Sequence, residues 1–503
     1  MQGPSARQKV MDGIQKATDA VAPTLGPVGM TAMIEFPGLD PIIADDGVTI
    51  LKSLEFGDAY EQMGLQMLRK AAIRTSVEGG DGTATTTVLT RCLAMEALKE
   101  VENDSSKIRQ VRERLEIGLA ETLKELSKIK RDVSEDDIEK IAAISSLDSD
   151  VAKHIADVIK MVGIDGVVSV ERGAELGYSQ EVVKGARFDK GLISPFFIND
   201  HERKQTVLED AYIVLVDRKI STNEQILPLL QSIGTGKDIL FIATDVEGVA
   251  LGSLAQNAVN KIADIACVRN PYTASPSREF LFDMASLTGA TVISEEMGMM
   301  LEKADITLCG RADKVIVTRD TTTIIGGRGD TLERVVTIQM EIAATTSEYQ
   351  KGMLEDRLAS LTGGIGVIRV GAYTDTEFNT KKYKFENGIN ATQAALQEGI
   401  LAGGGVALVD IVPRVEESMF KVALFAPLEQ MAKNANVLLN VGNTSGWGTD
   451  FKTRERVNMF DAGIIDPYKV TRLALESATA IAMQIVGMET AIVTVKEDDK
   501  TSK

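Results

Sequence analysis

From position 77 to 88 the chain reads Val-Glu-Gly-Gly-Asp-Gly-Thr-Ala-Thr-Thr-Thr-Val, and these residue types suit one kind of chemistry. Glu78, Gly79, Gly80, Asp81 and Gly82 predict a loop. The small hydroxyl residues after it open an apolar helix. Val88, Leu89, Cys92, Leu93, Met95 and Leu98 leave it little polar face, so burial in a core is expected. A helix N-terminus offers unpaired backbone N–H groups and the positive end of the helix dipole, which together suit a phosphate. The three glycines let the backbone approach closely, and Thr83, Thr85 and Thr86 can donate hydroxyl hydrogen bonds. Asp81 would repel a bare phosphate unless a divalent cation lay between them, so the loop points to a Mg2+-nucleotide. The bland alternative is a Gly/Asp turn capping a core helix.

The elements that must position this loop can be read in order. Residues 5–21 place Val10, Ile14, Ala17 and Val21 on one face of an amphipathic helix that Pro23 ends. Thr24, Leu25, Gly26 and Pro27 then begin a second phosphate-friendly loop. Residues 31–36 alternate like a strand, and 41–50 predict a short strand pair with an Asp45-Asp46-Gly47 hairpin turn. Helices are expected over 58–75 and 106–130. Beyond about 150, apolar runs at 167–170, 211–216, 239–242, 265–268, 291–293 and 314–317 alternate with helical stretches, the pattern of a largely parallel α/β sheet. Gly234-Thr-Gly-Lys237 resembles a P-loop but fails it: Gln231 and Asp238 stand at the glycine and Ser/Thr positions, between helix and strand. A strand at 366–370, a charged segment, a helix at 388–399, a glycine loop ending at Gly405, a last long helix and a strand at 491–495 complete the chain. Its final octad reads as disordered. Both ends share a helical character, and the α/β middle reads as an insertion.

Composition sets limits. A chain of 503 residues is too long for one core. It is 44% hydrophobic and 25% charged, a globular balance. Net charge −18 argues against nucleic acid and anionic membranes as main partners. Three scattered cysteines give neither a disulfide framework nor metal spacing and suit a reducing compartment, and two histidines make His-based catalysis a poor fit. No stretch has the length of a membrane span or the pattern of a signal peptide, so a cytoplasmic protein is expected.

Several separated segments together resemble the group I chaperonins, the GroEL family. They are Thr24-Leu-Gly-Pro27, Asp46-Gly47, Gly80-Asp-Gly-Thr83, Phe188-Asp-Lys-Gly191 with Ser194-Pro195, Asp245-Val-Glu-Gly248, Ile293-Ser-Glu-Glu296, the run from Asp320 to Ile325, Ala402 to Gly405, and Asp466-Pro467. They follow the family's order over nearly the whole chain. The resemblance implies a multi-domain α/β chaperonin fold: a mainly helical equatorial domain (1–127 and 399–503), a small intermediate domain (128–184 and 366–398) and an α/β apical domain (185–365). It also implies a homo-oligomeric ring, of seven subunits in that family, single or double, that hydrolyses ATP with Mg2+, and with K+ as a further cation, while folding non-native client proteins.

Carried over position by position, Thr24, Leu25, Gly26 and Pro27 would hold phosphates and ribose. Gly82, Thr83 and Thr85 would bind phosphates, with Asp81 as the Mg2+ ligand. Asp46 would position the attacking water, and Gly404 and Asp466 would contact adenine and ribose. Gly185, Gly364 and Gly399 stand at hinge positions. Leu192, Phe196, Phe197, Leu227, Leu230 and Leu251 match the apolar client-binding positions, although each leucine alone reads equally as core. The chain also departs from the pattern. Val28 and Asp45 replace nucleotide-loop lysines, Ala255-Gln256 replaces a Val-Val pair, and the stretch from Gly405 to Asp466 is shortened. Lys496-Glu-Asp-Asp-Lys500 stands in place of Gly-Gly-Met repeats, and Asn387 stands where the family has a catalytic aspartate. Such divergence suits a virus-encoded or specialised copy, which would work in the host cytoplasm. An ATP-driven foldase, with or without a co-chaperonin, is the leading expectation. Asn387 favours the alternative, a slow-turnover holdase, and no small-molecule acid–base pair supports a metabolic enzyme.

Overall fold

The apolar spacing of residues 5–21 folds as helix α1 (Gly3–Val21), with Val10, Ile14, Ala17 and Val21 all buried. Strands β1 (Ala32–Ile34) and β2 (Ile42–Ala44) pair antiparallel, Ala32 opposite Ala44. The strand expected after Asp46 is instead helix α2 (Gly47–Ser53). The Asp46 carboxylate accepts the Val48 and Thr49 amides and caps this helix, so the Asp-Gly pair starts a helix where a hairpin was expected. Helix α3 (Ala59–Gly79) runs through Val77 and Glu78, so the loop expected from there begins only at Gly80. Helices α4 (Thr83–Val101), α5 (Ile108–Ile129), α6 (Glu135–Ser146) and α7 (Ser149–Val162) follow. The computed structural model describes residues 2–35, 42–44, 46–101, 104–163, 166–173, 175–201, 203–272, 275–345, 348–439 and 444–493. Asp45 and the final octad lie outside them.

The middle of the chain builds one mixed sheet from β3 (Val168–Arg172), β4 (Tyr178–Phe188), β5 (Thr206–Ile220), β6 (Ile239–Val246), β7 (Ile265–Arg269), β8 (Val292–Ile293), β9 (Gly310–Val317), β10 (Thr322–Gly327) and β11 (Gly364–Val370). Helices α8 (Asn223–Ile233), α9 (Gly248–Val259), α10 (Ser275–Thr288), α11 (Leu332–Ala344) and α12 (Glu348–Thr362) accompany it. The strand order is β3-β11-β4-β10-β9-β5-β6-β7, with β8 beside β5. The expected largely parallel sheet needs correcting. β5, β6, β7 and β8 pair in parallel, as do β3 and β11, but β11-β4-β10-β9-β5 are joined antiparallel. Ile213 and Leu215 of β5 face one apolar cluster with Leu240, Ile242 and Val268, whereas Val214 and Val216 face another with Phe241, Ala243 and Cys267. Burial on both faces is why these strands read as unbroken apolar runs.

Past this region come α13 (Asp375–Glu398), β12 (Ile400–Ala402), α14 (Val406–Ile411), α15 (Ser418–Ala423), α16 (Ala426–Ala435), β13 (Trp447–Thr449), β14 (Arg456–Asn458), β15 (Ile465–Pro467) and α17 (Tyr468–Gly487). Helix α13 takes in the charged segment expected to precede it, with Lys381 pairing Glu377 one turn away. Gly388, read as its start, is interior; a Cβ there would lie 2.5 Å from Ile155 Cδ1, so the helix needs glycine for close packing. The expected terminal strand is not formed by described residues 491–493, and 494–495 lie outside those described. The chain divides into two units, Met1–Asp157 with Ala372–Lys503, and Val158–Gly371. The first has a core of α1, α3, α4, α5 and α17, in which Leu89, Leu93 and Ala97 lie with Ala474, Ala478 and Ile481. No helix among the described residues is long and apolar enough to cross a membrane.

Candidate functional site

Three residues, Gly80, Asp81 and Gly82, connect α3 to α4. Gly80 and Gly82 have φ of 84° and 94°, the left-handed region that glycine adopts without strain. The Gly80 N–H closes α3 on Ser76 O, and Thr86 N is the first amide of α4 with an acceptor, Gly82 O at 2.9 Å. The amides of Thr83, Ala84 and Thr85 are therefore the open donors of the helix N-terminus. The threonine hydroxyls divide. Thr86 donates to Gly82 O at 2.8 Å and Thr90 to Thr86 O at 2.7 Å, so the Thr86 hydroxyl, expected as a donor to phosphate, is already used. Among the described residues, the Thr83 and Thr85 hydroxyls have no hydrogen-bond partner.

Other elements close around this end of α4. A Cβ on Gly47 would lie 2.9 Å from Thr83 Cγ2, which brings the Asp46 cap of α2 against the start of α4. Tyr383 of α13 donates to Asp46 Oδ1 at 3.2 Å. A Cβ on Gly82 would lie 2.7 Å from Val470 Cγ1 of α17. The β12–β15 pair sets Leu401 opposite Asp466, so the glycine loop containing Gly404 and the Asp466 carboxylate leave from one short ladder. Thr24 donates to Val21 O at 2.8 Å, and Asn434 clamps the following loop through Ala22 O and Leu25 O. Asn434 was not anticipated from sequence, because an amide inside a helix carries no local signal of a loop partner 409 residues away.

Electrostatically the site is a set of mutually repelling carboxylates. Asp81 is open to the surface yet deeply surrounded by protein; desolvation pushes it above the ordinary carboxylate range, the Gly82 amide opposes this, and the Asp46 charge adds to it. Asp466 is pushed up to about 7 by burial and then by Asp81. Burial and the Asp46 carboxylate raise the Tyr383 hydroxyl well above its usual range, so it remains a proton donor. No cluster of three or more metal-ligating side chains occurs among the described residues. A divalent cation held by one or two carboxylates such as Asp81 would complete its shell with phosphates and water. Open amides beside unneutralised carboxylates can hold a polyanion together with a divalent cation.

The proposed hinge glycines have different surroundings. Gly399 ends α13 at φ 92° beside Arg131, whose backbone pairs with Ile400. Gly185 and Gly364 lie within paired strands, Gly185 opposite Ile325 and Gly364 opposite Lys184.

The apolar positions of the Val158–Gly371 unit separate by exposure. Phe196 and Leu227 are 66% and 52% exposed, and Leu192, Leu230 and Leu251 are half-buried against the core. Phe197 needs correcting: it is 2% exposed and packs in the core with Val214, Phe241 and Leu254, while its neighbour Phe196 on the same single turn stays outside. Val249 and Val259 of α9, 65% and 61% exposed, were missed; they carry no motif, and their spacing alone reads as core. A groove of about 400 Å³, lined by Phe196, Gly252, Ala255, Gln256, Val259 and Asn260, lies beside α9.

Residues 17–496 match the model of the TCP-1/cpn60 chaperonin family. The chain belongs to this family. Two crystal forms of the chaperonin gp146 from bacteriophage EL of Pseudomonas aeruginosa, crystallised in the presence of ATP-BeFx, have the same fold. They superpose at TM-scores of 0.69 and 0.64 with 20% and 21% identity, over 99% of this chain and 99% of theirs. The chain is thus a divergent chaperonin.

Proposed function

We propose that this chaperonin is a ring-forming, Mg2+-dependent ATPase that binds non-native proteins and assists their folding. The observation that carries the reading is the convergence of Asp46, Asp81 and Asp466 on the open N-terminus of α4. Asp81 would hold the cation, which on binding would neutralise phosphate charge and relieve the carboxylate repulsion. The amides of Thr83 to Thr85 and the free Thr83 and Thr85 hydroxyls would bind phosphate oxygens. Thr24, Leu25, Gly26 and Pro27, with Gly404, would frame the rest of the nucleotide. Asp46 would orient water for attack. Phe196, Leu227 and Leu230, with Val249 and Val259, would form the client surface, since an exposed apolar patch of this kind marks an interaction site. The equatorial, intermediate and apical division, the hinges at Gly185, Gly364 and Gly399, use of K+, and work in a cytoplasm belong to the same proposal.

Asn387 favours a second reading, a holdase that turns ATP over slowly. ATP hydrolysis measured with refolding of a denatured client, and ring mass by mass photometry, separates the two. Refolding that depends on turnover supports the foldase; client capture unaffected by ATP supports the holdase.

A further inference from the structure

Asp46 shares its carboxylate among three donors. Oδ1 accepts Val48 N at 3.0 Å and Tyr383 Oη at 3.2 Å, and Oδ2 accepts Thr49 N at 2.8 Å. A carboxylate has roughly four acceptor sites, so one remains, on Oδ2. The two amides are what any helix cap collects. The tyrosine is different, because it arrives from α13, 337 residues away in sequence. It also begins a stripe along that helix. Asn387 follows one turn later, then Asn390 and Ala391, against which Gly80 packs so closely that a Cβ would lie 2.4 Å from Asn390 Cβ. The face of α13 that touches Asp46 therefore also covers the loop before α4. On the ATPase reading, an amide at 387 would leave water activation to Asp46, whose setting would then be decisive.

We propose that Tyr383 is a positioning residue for ATP hydrolysis: its hydroxyl fixes Asp46 so that the remaining Oδ2 acceptor site is turned toward the attacking water, and ties that alignment to the docking of α13. The proposal rests on the ATPase reading above. Tyr383→Phe keeps the ring and removes the hydroxyl, which donates to Asp46 and also meets the Ser76 side chain. In the assembled ring it should lower kcat about tenfold with the KM for ATP unchanged, the size expected for losing a hydrogen bond to a charged group. In an Asp46→Asn background the same change should have little further effect. Amide exchange in the ATP-free protein supplies a readout independent of turnover. Exchange should quicken in 46–53 and 380–391 of Tyr383→Phe, with unchanged melting and ring mass showing that it still folds. An unchanged kcat, or an equal loss with and without the Asp46 carboxylate, overturns the positioning role alone. Wild type no faster than Asp81→Ala overturns the ATPase reading and this role with it.

Discussion

A carboxylate at 387 would accept a proton from water, and the amide that stands there cannot do so at neutral pH. General-base assistance typically contributes about 10²–10⁴-fold. Asn387→Asp should therefore raise single-turnover ATP hydrolysis by at least about tenfold, while Asn387→Ala matches or falls below wild type; a wild type already equal to Asn387→Asp would place the base elsewhere. Asp466 predicts a pH effect of defined sign. Its carboxyl titrates near 7 when folded against 3.8 ordinarily, because burial and Asp81 disfavour the charged form. Between those values the folded protein holds a proton that the unfolded chain has released. Stability of the nucleotide-free protein should therefore fall as pH rises from about 4 to 7 and level off above. Urea midpoints at pH 5 and 7.5 should show this slope, flattened in Asp466→Asn. At this scale the sequence carried the break between helices at Gly80-Asp81-Gly82, because clustered Gly and Asp punctuate an apolar pattern locally. It did not carry Tyr383 or Asn434, whose partners are set by tertiary contact across hundreds of residues.

Element scale shows the same division. Helix α4 and the apolar strands were legible because periodicity is local, whereas Asp46-Gly47 was misread because a cap and a hairpin use the same residues. The antiparallel joins of the sheet are set by pairings remote in sequence, so composition could not reveal them. Helices α10, α11 and α12 are held by Asp283, almost wholly buried, which accepts Arg334 Nε and Arg357 Nε at 2.7 Å each. Asp283→Ala leaves two guanidiniums short of their shared partner and should cost about 3–5 kcal/mol, read as a lower denaturant midpoint. The apolar surface gives a contrast between neighbours. Leu227→Glu puts a charge on an exposed position and should weaken capture of an unfolded client at least about tenfold, since that charge must be desolvated on docking. ATPase should stay within about twofold of wild type, because Leu227 belongs to the Val158–Gly371 unit and the carboxylates to the other. Phe197→Glu, in the core, should instead destabilise the unit that contains it. Client capture that survives Leu227→Glu would put the client surface elsewhere.

For the whole molecule, the two chain ends fold as one helical body. Buried Arg7 donates to Met488 O at 2.7 Å and pairs with Glu489 at 2.8 Å, and Gly3 N meets Glu489 O at 2.7 Å. This body carries Asp46, Asp81 and Asp466 from both ends, so the site exists only once N- and C-terminal segments have come together. Five segments of the family's motif order, Thr24 to Pro27, Asp46-Gly47, Gly80 to Thr83, Ala402 to Gly405 and Asp466-Pro467, fall in this body, and each was legible because it is short and local; the others fall in the Val158–Gly371 unit. The central claim is that this assembled site hydrolyses ATP with Asp81 as the cation ligand and that hydrolysis drives folding. The most direct measurement is Mg2+-dependent ATP turnover by wild type and Asp81→Ala, taken in the same reaction as the yield of refolded client. The prediction is turnover and ATP-dependent refolding by wild type, with both lost in a variant that still folds and binds client. Equal turnover by the two proteins, or refolding by wild type that is indifferent to ATP, would contradict it.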